Sequence, residues 1–121
     1  MDLVLSLHGR IAFALVLYYT FVGLWGIFQG IRDRGPNASL RGAIAIATIA
    51  AVAQGALGLL LLVFRGAPAD AVHILYGFAL AVAMPLAVTL VRERTPRGQS
   101  IALGLAALFT AGLAIRGITT A

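Results

Sequence analysis

The chain has 121 residues, the length of one domain, with 61% apolar and only 11% charged residues and a mean hydropathy of +1.01, which excludes an ordinary water-soluble fold. It has no cysteine, so disulfides, thiolate metal sites and thiol catalysis are excluded. The net charge of +5 comes from arginines alone, set singly or in twos and threes between apolar runs; that is the pattern of membrane-flanking charge, and nucleic acid is not an expected partner.

The elements are four apolar segments. The first covers residues 7–31. Asp2 stands where a signal peptide would be basic, and the apolar run 11–31 is too long for a cleaved leader, so it reads as a helix that stays in the protein. The others cover residues 43–64, 69–91 and 100–116. A span needs roughly 20 apolar residues; the fourth segment is the shortest. The connections carry helix breakers: Gly35-Pro36-Asn37 in the first, Gly66-Ala67-Pro68 in the second, Thr95-Pro96 in the third. Pro68 is placed to start helix three, and Pro85 inside it predicts a kink. No segment alternates polar and apolar residues, so a barrel is excluded. Backbone groups in lipid are satisfied only within helices, and short loops make neighbours antiparallel. The expectation is an all-α, up-down bundle of four membrane-spanning helices in one domain, residues 1–121.

Arginine counting gives an orientation. Arg32, Arg34, Arg41, Arg92, Arg94 and Arg97 flank loops one and three, against Arg10, Arg65 and Arg116 opposite. That puts loops one and three in the cytoplasm and both termini outside, in what reads as the cytoplasmic membrane of a prokaryote. Gly55, Gly58, Gly77, Gly104 and Gly112 either let helix backbones approach closely or leave room for a flat cofactor.

The chain has two histidines, His8 and His73, each opening an odd-numbered helix. Odd helices run in one direction, so the two imidazoles share a depth near the outer face, and helices one and three can sit diagonally. Two facing imidazoles suit a six-coordinate haem, one ligand nitrogen from each side; the plainer alternative is a pair of interfacial packing residues. Phe13-Ala14-Leu15 and Phe78-Ala79-Leu80 begin five residues after each histidine, an echo of internal pseudo-symmetry. Arg10, with Arg65, is the candidate partner for haem propionates; Arg116 lies on the same side. Gln54 is the one amide inside helix two, and Tyr18, Tyr19 and Tyr76 are belt or cavity residues. Asp2, Asp33, Asp70 and Glu93 all lie at helix ends or in loops, so a proton-exchanging exporter lacks its mid-membrane carboxylate and a Ser-His-acid hydrolase is disfavoured.

At these residues the chain resembles one four-helix half of the haem A synthase family. The carriers are His8-Gly9-Arg10, then Gln54-Gly55-Ala56-Leu57-Gly58 with Val63, then Val72-His73-Ile74-Leu75, covering about the first 80 residues. The resemblance implies a haem b held between His8 and His73. The family's catalytic half has a Glu shortly before its first histidine, where this chain reads Val4-Leu5-Ser6-Leu7, and the family's loop cysteine pair is missing. The expectation is therefore a haem b-binding membrane protein without catalysis of its own, for electron transfer or haem handling. Its site is His8, His73, Arg10, Arg65, Gly77 and Gln54, with the histidines as iron ligands. Expected partners are the lipid bilayer and other membrane subunits or a second copy. The alternative is a haem-free structural or assembly subunit.

Overall fold

A computed structural model describes all of Met1–Ala121. It contains four helices: α1 Asp2–Ile31, α2 Ala38–Arg65, α3 Val72–Leu90 and α4 Pro96–Thr119. Each is long and apolar enough to cross a membrane.

The helix ends follow local chemistry. The Asn37 side chain accepts from the Leu40 N–H at 2.8 Å and opens α2, and the Thr95 hydroxyl accepts from the Gly98 N–H at 3.1 Å and opens α4, with Pro96 at its first position. Gly66, at φ 89, closes α2. Three helices begin earlier than their apolar runs (at Asp2, Ala38 and Pro96) and α4 runs on to Thr119. Apolarity marks where lipid would be, whereas capping and backbone bonding mark where a helix ends. Helix α3 begins later than expected. Pro68 lies ahead of it, and the Asp70 carboxylate accepts from the Val72 N–H at 3.0 Å, so the start is set there.

The helices run up and down. Helix α1 packs against α2 and α4, and α3 packs against the same two, so α1 and α3 are diagonal. The N-terminus, the C-terminus and the α2–α3 connection share one end, the terminal end; the other two connections form the two-loop end.

The α1–α4 contact is the most extensive, and glycine makes it. A Cβ on Gly26 would stand 2.8 Å from the Cα of Gly104, and one on Gly104 would stand 2.7 Å from the Gly23 carbonyl oxygen. Only hydrogen fits there. Polar bonds clamp the same end: the Ser100 hydroxyl donates to the Arg34 carbonyl at 2.7 Å and Arg97 Nε to the Gly30 carbonyl at 3.1 Å. Tyr18 and Tyr19 tie α1 to α2 by donating to the Ala43 and Ala47 carbonyls at 2.9 and 3.2 Å.

Burial is lopsided. In α1 the buried residues begin at Leu15, in α2 they stop at Gln54, in α3 they are Leu80 and Met84, and in α4 they run from Ser100 to Ala114. The core therefore fills the bundle from the two-loop end, and in the terminal third of the four helices only Ala114 of α4 is buried. The Phe-Ala-Leu echo has matched surroundings: Phe13 and Phe78 are exposed, Leu15 and Leu80 buried.

Two alanine substitutions should have opposite signs. Gly26→Ala, forced against α4, should destabilise the bundle by about 1–3 kcal/mol. Gly42→Ala, whose Cβ meets nothing within 4 Å, should stabilise it by roughly 0.5–1 kcal/mol through helix propensity. Unfolding in detergent micelles, followed by circular dichroism, checks both.

Candidate functional site

His8 lies in the second turn of α1 and His73 is the second residue of α3. Because these helices are parallel and begin at the same end, both side chains sit at one level of the bundle. Their ring centroids are 6.0 Å apart, with the planes at 68°. Two diagonal helices thus bring their imidazoles together inside the part of the bundle that has no packed core.

Helix α4 holds one ring. His73 Nδ1 lies 2.7 Å from the Gly117 carbonyl oxygen. A carbonyl only accepts, so Nδ1 carries the hydrogen and Nε2 keeps its lone pair. Gly117 is available because α4 ends at Thr119 and the last carbonyls of a helix have no intrahelical donor.

Helix α2 holds the other. Gln54 Nε2 donates to the His8 carbonyl at 2.7 Å. That contact fixes the amide orientation, since the opposite one would set two acceptors face to face. Both His8 Nδ1 and Gln54 Oε1 are then buried without a partner. Unpaired buried polar atoms are unfavourable by about 1–3 kcal/mol each, and two in touching residues make this the candidate site. One helical turn beyond Gln54, a Cβ on Gly58 would stand 3.2 Å from His8 Cε1; the absent side chain makes room for the ring.

The remaining expected residues divide. Gly77, one turn after His73 on the same face, is half-buried with nothing within 4 Å of a built Cβ, as are Gly55 and Gly112. Arg10 is exposed; two residues past His8, it lies roughly 200° round the helix from it. Arg65 Nη1 contacts the Asp2 carboxylate at 3.4 Å at the protein edge. The arginine placed by the histidines is Arg116. Its guanidinium lies 5.7 Å from the Tyr76 ring centroid, and Tyr76 is one turn from His73, while Arg116 itself precedes Gly117. This α4 group was not legible from the sequence beyond Arg116 being on the right side, because nothing there showed how α4 faces α3. Tyr18 and Tyr19 serve the α1–α2 contact instead.

No three His, Asp or Glu side chains converge; the donor set is two imidazoles, and neither is paired with a carboxylate. Two cavities lie elsewhere, one between α1 and α2 and one between α2 and α3.

Compared with family models, curated proteins and solved structures, the chain matches none.

Gln54→Leu should destabilise the protein by about 0.6–1.7 kcal/mol, the range for interhelical hydrogen bonds in membranes, measured by unfolding in micelles. An unchanged midpoint would mean the α1–α2 amide contact contributes nothing.

Proposed function

We propose that this chain is an integral membrane haem b protein with His8 and His73 as the two axial ligands, serving electron transfer or haem handling within a larger membrane assembly. The observation that carries the reading is the ring separation. Imidazole nitrogen binds a transition metal at roughly 2 Å and lies about 1 Å from its ring centroid, so two imidazoles sharing one iron would have centroids up to about 6 Å apart. The 6.0 Å spacing is within that reach.

Three further features support the fit. The Nδ1–H of His73 is tied to Gly117, the outer-shell contact by which proteins orient a metal-binding imidazole and raise its basicity. His8 has a buried nitrogen without a partner. The terminal third of the bundle holds one small core residue, Ala114, and half-buried Gly55, Gly77 and Gly112 leave space near it. Haem b, when bound, supplies a one-electron iron couple. The chain's own groups would set its environment: His73 held by α4, His8 held at its backbone by Gln54, and the wall of α2 kept flat by Gly58. Arg116, stacked on Tyr76, is better placed for a propionate than Arg10 or Arg65, whose roles become secondary in this reading. His8 and His73 would hold the group from both sides, and neither ring is paired with a carboxylate, which favours electron transfer or haem handling over chemistry on a second substrate. Arginine counting places the site on the outer side of a prokaryotic cytoplasmic membrane.

A second reading, a haem-free assembly subunit, is favoured by α3, where only Leu80 and Met84 are buried and much of the helix is free to meet another protein. The absorption spectrum separates the two. Protein purified after expression with ample haem should show a Soret band and a low-spin spectrum, and a colourless preparation would defeat the haem reading. His73→Ala should abolish the low-spin spectrum while leaving the helical content unchanged.

A further inference from the structure

The two-loop end holds six arginines (Arg32, Arg34, Arg41, Arg92, Arg94 and Arg97) and two acids, Asp33 and Glu93, a surplus of four positive charges by subtraction. Neither acid is paired; the single salt bridge, Arg65 with Asp2, is at the other end. Two helices begin there, and neither has an acid in its first turn. Arg41 and Arg97 stand instead as the fourth residue of α2 and the second of α4. Helix dipoles cancel at this end, because α1 and α3 finish where α2 and α4 begin, so its positive surplus is that of the arginines, and no carboxylate of the chain is paired with them.

Two of these arginines are not merely on the surface. Arg41 and Arg92 border a cleft of about 480 Å³ between α2 and α3, within the range of roughly 300–1,000 Å³ typical of ligand sites. Below them the walls include Ile49 and Val88, with Thr48 and Thr89 between. The cleft is thus cationic at its mouth and apolar along its length, on the flank of two helices apolar enough to face lipid. Its complement is an anionic amphiphile.

We infer that this cleft is a binding site for one anionic glycerophospholipid, its phosphate on Arg41 and Arg92 and an acyl chain along Ile49 and Val88. Guanidinium binds phosphate bidentately, and basic pockets between membrane helices take anionic head groups. The threonine hydroxyls donate to the Ile44 and Pro85 carbonyls at 2.9 and 3.0 Å, so they are already engaged and add nothing to phosphate binding; the selection is for negative charge, as in phosphatidylglycerol, and not for a particular head group. The site lies at the opposite end from the imidazoles and does not depend on a haem.

Native mass spectrometry of the full-length protein in nonionic detergent tests this. Titrated with phosphatidylglycerol or phosphatidylcholine, the protein should retain one phosphatidylglycerol with about thirtyfold preference, as two arginines at a lipid surface predict. Equal retention of the two lipids overturns the proposal without any variant. Arg41→Gln with Arg92→Gln should remove the preference, and Arg32→Gln with Arg94→Gln, equal in charge but outside the cleft, should keep it. If the two double variants behave alike, bulk charge is responsible and the cleft is not. If free glycerol 3-phosphate competes as strongly as the lipid, the apolar wall plays no part and the lipid assignment falls.

Discussion

The bundle is organised by how closely α1 and α4 approach near the two-loop end. Between helices in a hydrocarbon environment there is no hydrophobic force, so close backbone contact and polar bonds must provide the attraction. Gly23, Gly26 and Gly104 permit that contact because each lacks the Cβ that would collide with the other helix. Ser100 and Arg97 add bonds to the loop and backbone beside it. With one end locked by backbone contact, the rest of the bundle does not need large side chains to hold it. Its terminal third can stay unpacked without loss of the architecture.

That asymmetry gives the imidazoles their surroundings. His8 and His73 come from helices that never touch as backbones, and they meet across the open end. Each is held by a different neighbour, His73 by the Gly117 carbonyl at the end of α4 and His8 by the Gln54 amide of α2. All four helices therefore contribute at one level: two provide rings and two provide the contacts that position them. A packed core would have filled the same space with leucine or phenylalanine. Here it holds small residues, two imidazoles and two polar atoms without a hydrogen-bond partner.

The two ends of the molecule differ in chemistry as well as packing. The terminal end has little net charge, a salt bridge at its edge and a donor pair inside. The two-loop end is tightly packed within and strongly cationic around its rim. An electron-transfer role and a fixed lipid contact would thus use opposite ends of one small scaffold.

Much of this was legible in the order of residues. Four long apolar runs with few internal charges leave the backbone no alternative to helices in lipid, and short loops leave the helices no alternative to antiparallel order. From that order alone, the two histidines must share a depth. Helix ends were less legible, since capping by Asn37, Thr95 and Asp70 depends on local hydrogen bonds that hydropathy does not report. Tertiary structure alone decided which faces met. Helix rotation turned Arg10 away and brought Arg116 and the Gly117 carbonyl to the site. It also put Gly104 in the α1 contact and left Gly77 beside open space, although the two glycines look alike in sequence. The physical reason is that position along a membrane helix is written in hydropathy, whereas rotation about its axis is set by close contacts between residues far apart in the chain.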